Sequence, residues 1–529
     1  MKAKVILFLI FLLAIVVRSL YYDSITFFYD QARDALTSME IWGSDPIKVI
    51  GPQTDFVGLH HGPFYWYLIS PFYYFGGGDI RLVKFVLVLI NSLTIFIIYD
   101  LCRSLFKNKK ISLLSSFLFA ISFEAVQYAR WLSNPAPAIL TITLSFWALY
   151  KLIKGESKAL ILLVISWGLS IHFQLFLLYQ LPIFILIWTL IGKEKLPKIT
   201  RKEVLISLFA FFSIISPFII SEIKFNFQGT KVFANFFKNQ TLFGQGFWNL
   251  LENYIDRLGE SFFLNIWGVN LFLAGIMTLV TFYFTFNTIQ KRKNRNALIF
   301  LLVWILSPIL INLFTGPNAR FINIGITVPI IIITAYFITN YVKNRLLFIL
   351  ILLIVIIGNL NLILTKNKEG EVLFTVQKQM ILKDELSVID YVYKESEGKV
   401  FKLNTITNPL FINSTWSHLF NWYGKSKYGF MPIWWGETQV DVPGDNIKFA
   451  DDTAIDLFFL IIEPGVSGDD NYVKAIKIME NTRSTVIESE NIGFFTVEKR
   501  RITNPRIYTA QDVFYVIKNT DMRELQKVK

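Results

Sequence analysis

The sequence predicts a polytopic, all-α membrane domain followed by a small soluble α/β or α+β domain. Three observations predict it. Apolar residues make up 53% of the 529 and charged residues only 17%, against roughly 45–50% and about 25% in soluble domains. The apolar residues come in runs near the length that crosses a hydrocarbon core, and Lys and Arg collect in every second loop between them. Near residue 365 the pattern changes: Lys, Glu, Asp, Asn and Gly rise and the apolar runs shorten. The predicted division is therefore a membrane domain over 1–364 and a soluble domain over 365–529.

The apolar runs give about eleven transmembrane helices, near 4–20, 81–103, 111–128, 136–153, 158–171, 175–192, 204–221, 265–287, 297–314, 322–341 and 346–364. The first follows Met1-Lys2-Ala3-Lys4 and lacks a small-residue cleavage site at its end, so it is read as a retained helix. The basic loops are Lys107–Lys110, Lys151–Lys158, Lys193–Lys202, Lys291–Arg295 and Lys343–Arg345. They keep one phase throughout, which predicts a cytoplasmic N-terminus and an extracytoplasmic soluble domain. Two long outside segments, about 21–79 and 222–268, carry aromatics at helical spacing and are expected to form interfacial helices. In the tail, an amphipathic helix over 381–396 precedes strand-like runs at 399–403, 455–462, 484–487 and 493–497.

The net charge of +13 is accounted for by the cytoplasmic loops, so no nucleic-acid partner is predicted. The single cysteine, Cys102, excludes an internal disulfide. No P-loop, dinucleotide fingerprint or internal repeat is present.

The first place where the chain carries clustered charge is Tyr29–Trp42. Asp30, Arg33 and Asp34 share one helix face there, because residues three and four apart are neighbours. Asp30 reads either as a helix cap or as a carboxylate able to take a proton from an acceptor hydroxyl. His60 and His61 follow in a polar stretch. They fit a phosphate contact or a polar turn; a metal would need further ligands, and only Asp55 is near. Arg130 and Asn134 lie in the second outside turn, and Arg320 is the only charge in a later one. Each arginine suits a phosphate or simply snorkels toward headgroups. His172 and Gln174 are polar residues at membrane depth, where a functional role is the default expectation.

These stretches resemble the GT-C membrane glycosyltransferases, in the protein O-mannosyltransferase, aminoarabinose-transferase and RgtA/B/C/D-like group. That group carries an Asp-Glu-x-Arg-type motif in a large first outside loop. A His/Lys-Pro-Pro-Leu-Tyr-Tyr-type motif opens an interfacial helix some thirty residues later. Asp30-Gln31-Ala32-Arg33 and His61-Gly62-Pro63-Phe64-Tyr65-Trp66 match them, with Gln31 in place of the Glu and Asn134 where a second acid often stands. The resemblance implies an inverting transfer of a sugar from a polyprenyl-phosphate donor to a hydroxyl of a protein, lipid or glycan, at the outer face of the plasma membrane. Asp30 would be the base. Arg33, Asp34, His60, His61, Arg130, Asn134, His172 and Arg320 would surround the substrates. No cofactor is required by this chemistry, and a divalent metal stays open. The alternative is a transporter of lipid-linked sugars. It should place charges near the bilayer midplane, whereas the spans are read as holding almost no ionisable groups.

Overall fold

The computed structural model describes residues 2–54, 56–192, 197–239, 246–315, 320–436, 446–449, 454–465, 470–505 and 508–519. Asp55 and part of the 193–202 loop thus lie outside the described residues, as do 240–245 and the 316–319 turn.

The predicted apolar runs all fall on helices. In chain order the first part forms α1 (Lys2–Arg18), α2 (Tyr29–Glu40), α3 (Phe64–Phe75), α4 (Ile80–Phe106), α5 (Lys109–Ile121), α6 (Phe123–Arg130), α7 (Ala138–Ile153) and α8 (Ala159–Phe173). A short 3-10 turn, Leu175–Tyr179, leads into α9 (Gln180–Ile191). Then come α10 (Arg201–Lys224), α11 (Gln228–Asn239), α12 (Phe247–Asn265), α13 (Leu271–Gln290), α14 (Arg295–Leu306), α15 (Ile309–Thr315), α16 (Thr327–Tyr341) and α17 (Arg345–Lys366). By length and composition, five helices can cross a membrane unaided: α4, α10, α13, α17, and α14 continued to Asn312. Among the described residues the pair α5–α6, bent by 55°, is long and apolar enough to make a sixth if it acts as one span; α7, α8, α9 with its 3-10 turn, and α16 are shorter apolar helices.

Local chemistry explains the ends. Asn108, Asn270 and Asn344 each accept from the first free backbone N–H groups of α5, α13 and α17. Thr200 and Glu203 cap α10 reciprocally. Ser122 breaks α5 from α6 by taking an extended conformation, and its hydroxyl accepts from the Ala125 N–H to start the second helix.

Two compact units emerge. The first is Met1–Leu20, Ile47–Tyr65 and Lys84–Phe374. Its interior is helix-on-helix packing of α7 on α8, α8 on α10, α1 on α5 and α16 on α5. Phe146 stacks on Trp304 at 4.0 Å inside it.

The second unit joins Tyr21–Pro46 and Trp66–Val83 to Thr375–Lys529. Its tail forms α18 (Leu382–Glu395), β1 (Lys402–Ile406), α19 (Ser414–Leu419), α20 (Lys425–Tyr428), β2 (Ile433–Trp434) and β3 (Leu457–Ile462). It ends with α21 (Asp470–Arg483), β4 (Ser484–Ile492), β5 (Phe495–Ile502) and α22 (Ala510–Asn519). The sheet order is β2-β1-β3-β5-β4. β1 runs parallel to β2 and β3, and β5 antiparallel to β3 and β4. Leu457–Ile462 is a continuous apolar run because β3 is central and covered on both faces. Gly493, with φ +59°, opens the two-residue turn between β4 and β5. Within this unit α2 packs on α19, and His418 sits within hydrogen-bond distance of the Gly78 carbonyl at 2.9 Å.

Candidate active site

In the second unit the face predicted from spacing is formed, and it divides its two acids sharply. Arg33 donates from Nη1 to Asp30 at 2.8 Å and from Nη2 to Asp34 at 3.1 Å. The Trp66 indole N–H of α3 donates to the same Asp34 oxygen at 2.9 Å. The Asp34 side chain is 3% exposed and that of Asp30 is 49% exposed. Burial pushes the Asp34 carboxyl above the usual range; the Arg33 charge and the Trp66 hydrogen bond pull against it. Burial alone would lower the Arg33 guanidinium, but the two carboxylates beside it hold it above its ordinary value. Gln31, standing where the motif has Glu, is buried, and its side-chain oxygen accepts from the Phe28 N–H. It closes the start of α2 instead of adding a charge.

In the first unit, His61, Asn134 and His172 come together around the C-terminal end of α8. The Leu175 N–H donates to His61 Nδ1 at 3.1 Å. An N–H can only donate, so Nδ1 is bare and the His61 hydrogen is on Nε2. His61 therefore acts as a neutral donor. Asn134 donates to the Phe173 carbonyl at 2.7 Å. His172 Nε2 donates to the Ile214 carbonyl at 2.6 Å, and its ring stacks on Phe64 at 3.9 Å. Gly62 makes this fit possible: a Cβ there would lie 1.8 Å from His172 Nδ1. Gln174 is wholly buried beside this gathering in sequence, with neither amide atom bonded among the described residues. His60, half-buried in the same loop, has its Nδ1 3.2 Å from the Gly51 carbonyl. With Leu59, Leu175, Phe218 and Glu222 it lines a cavity of about 310 Å³.

The two arginines expected at the membrane surface behave differently. Arg130 is fully enclosed, 3.6 Å from Glu371, and donates to the Asn367 and Leu20 carbonyls. It ties the end of α6 to the end of α1 and to the segment after α17, and does not reach for headgroups. Arg320 is partly exposed and donates to Glu260 at 2.5 Å.

A family model described as dolichyl-phosphate-mannose-protein mannosyltransferase matches residues 60–220. ArnT from Cupriavidus metallidurans in the apo state superposes with a TM-score of 0.58 at 11% identity, covering 94% of this chain and 98% of that one. The same protein bound to undecaprenyl phosphate gives 0.56 at 10% identity, covering 93% and 97%. The likeness shows a shared fold over nearly the full length of both chains. The chain has the fold of ArnT, and its residues 60–220 resemble the mannosyltransferase family. No curated protein matches the sequence.

The chain holds ionisable groups that its apolar runs hide. Lys84 in α4 and Glu124 in α6 are buried within apolar runs, so the expectation of spans almost free of ionisable groups is corrected. Glu124 is held by Asn265 of α12 and by the Thr327 hydroxyl, which donates at 2.7 Å. A lone charge inside an apolar run was the available signal. Among the described residues, no three His, Cys, Asp or Glu side chains are grouped to hold a metal ion.

Proposed function

We propose that the protein moves a sugar from a polyprenyl-phosphate donor to an acceptor hydroxyl at the outer membrane face, with inversion. In this reading Asp30 takes the hydroxyl proton as the acceptor oxygen attacks the anomeric carbon. The bond from that carbon to the phosphate oxygen breaks, and the lipid phosphate leaves with the electron pair. Phosphate is a good leaving group, so no general acid is needed. Arg33 fixes the Asp30 carboxylate, while Asp34 and Trp66 fix Arg33. His61 donates a neutral hydrogen bond, and Arg320 supplies positive charge to the phosphate.

The observation that carries the reading is the contrast on α2: one carboxylate half-exposed and clamped by a guanidinium, the other sealed. The fold shared with ArnT, which has been seen with undecaprenyl phosphate, supports the donor class. The same reading has about eleven spans, a cytoplasmic N-terminus, an extracytoplasmic domain over 365–529 and a site in the plasma membrane. A protein, lipid or glycan serves as acceptor.

The test is transfer from a labelled polyprenyl-phosphate hexose or pentose in membranes holding equal amounts of each variant. Asp30→Asn keeps an oxygen for Arg33 and should fold normally, yet lose about 10²- to 10⁴-fold in rate. Wild-type transfer by Asp30→Asn would remove Asp30 from the base role.

A further inference from the structure

In the first unit, α12 and α13 enclose a groove of about 1050 Å³. Its walls are mostly apolar, with Leu258, Phe263, Leu271, Leu279 and Phe282 among them. Its polar wall comes from one stretch of α12 that includes Arg257 and Glu260. Glu260 is shared. One carboxylate oxygen accepts from Arg257 at 2.9 Å and the other from Arg320 at 2.5 Å. None of the three side chains is sealed: they are 26, 29 and 30% exposed. One carboxylate thus stands between two guanidiniums at the edge of a water-accessible, apolar-walled groove. Two guanidiniums around one anion is also how a phosphate is held.

We propose that Glu260 is a built-in competitor for an anionic headgroup. The phosphate of an amphiphilic donor enters by displacing the Glu260 carboxylate from Arg320 and Arg257, and its apolar chain lies along α12 and α13. The proposal rests on the polyprenyl-phosphate reading above and adds a device to it. Glu260 keeps the two cations apart from each other while the groove is vacant. It also sets a threshold: a neutral lipid cannot displace a carboxylate, because it offers the arginines nothing in exchange. Glu260 thus weakens binding of both the donor and the spent lipid phosphate and leaves binding of a neutral polyprenol untouched. Weakened binding of the spent carrier speeds its release. Asp256, which also lines the groove, is exposed and adds to the same repulsion.

The experiment measures binding of undecaprenyl phosphate and of undecaprenol to the full-length transferase in nanodiscs, for wild type, Glu260→Gln and Arg320→Gln. Partly exposed ion pairs are weak individually, so losing two of them predicts about threefold to tenfold tighter binding of undecaprenyl phosphate by Glu260→Gln. Binding of undecaprenol should not change, and Arg320→Gln should weaken the phosphate lipid alone. If Glu260→Gln lowers the melting point, Glu260→Asp serves instead. Its shorter carboxylate cannot bridge both arginines, and it should also bind the phosphate lipid more tightly than wild type. Unchanged or weaker phosphate-lipid binding by both Glu260 variants overturns the competitor role. If Arg320→Gln still loses affinity in that case, the donor reading itself stands. Equal binding of the two lipids by wild type overturns both.

Discussion

Gly62→Ala is the sharpest perturbation of the packing behind the candidate site. The added methyl would sit 1.8 Å from His172 Nδ1, 2.5 Å from Cγ and 2.7 Å from Cε1. Ordinary contact begins near 3.4 Å, so the ring must retreat by more than an ångström. It has little room: His172 is buried, packed by Phe64 and Phe218, and anchored on the Ile214 carbonyl. Overpacking of a full core costs about 1–3 kcal/mol, and loss of the Ile214 hydrogen bond adds about 1 kcal/mol. The expected loss is about 2–4 kcal/mol, read as a lower denaturation midpoint of the detergent-solubilised protein. Transfer activity should fall with it, because the same loop carries His61. The cause is isolated by a double-mutant cycle. His172→Ala alone should destabilise, but in its presence Gly62→Ala should cost almost nothing, a coupling of about 2 kcal/mol. Additive effects within about 0.5 kcal/mol would refute the argument that Gly62 exists to admit the His172 ring.

Two further outcomes are expected. Trp66→Phe removes the indole donor from Asp34 and should cost about 1–3 kcal/mol. Burial holds the Asp34 carboxyl above its ordinary value and the Trp66 hydrogen bond favours its ionised form, so the cost should grow as pH rises; a loss independent of pH would count against it. In the second unit, burial pushes the Glu463 carboxyl from 4.5 up to about 8, although the Asn408 N–H and the Trp416 indole both donate to it. The folded state then holds this proton more tightly than the unfolded chain, so its contribution is fully present below pH 4.5 and is lost as pH rises through about 8. At about 1.4 kcal/mol per unit this is on the order of 5 kcal/mol. Buried Glu385, raised by burial and by the Glu463 charge, acts in the same direction. Melting of the full-length protein between pH 5 and 8.5 should show the fall and Glu463→Gln should flatten it; superimposable profiles would refute the assignment.

What could be read from the sequence depended on distance along the chain. Asp30, Arg33 and Asp34 meet through three- and four-residue spacing, so their shared face was legible. Which acid is open was not, because the group that seals Asp34 is Trp66, 32 residues away on α3. The helices of the membrane part were legible from apolar runs, since each satisfies its own backbone. The break at Ser122 was not, because a single side-chain cap decides it. Arg130 looked like a headgroup contact in its own turn; its actual partner, Glu371, follows α17. Four of the five tail strands were found to within a few residues, with β4 and β5 running longer than their apolar cores; the two-residue β2, Ile433–Trp434, is too short to leave a pattern and was missed. β4 is exposed along most of its length and shows no alternation to read. The mixed order of the sheet rests on pairings across helices, which no local pattern encodes.

The charge bookkeeping of the described residues also narrows where an anion can be held. His61 accepts at Nδ1 from a backbone N–H, so it brings a hydrogen bond without a charge. Arg33 is already balanced by two carboxylates. Arg130 is enclosed with Glu371, and Lys84 is buried. Arg257 and Arg320 differ in sharing one carboxylate, Glu260, with all three side chains partly open to water. An anion that displaces that carboxylate exchanges one set of charge-assisted hydrogen bonds for another, whereas a neutral group offers the two guanidiniums nothing in return. That exchange is what the binding comparison of undecaprenyl phosphate with undecaprenol is designed to read.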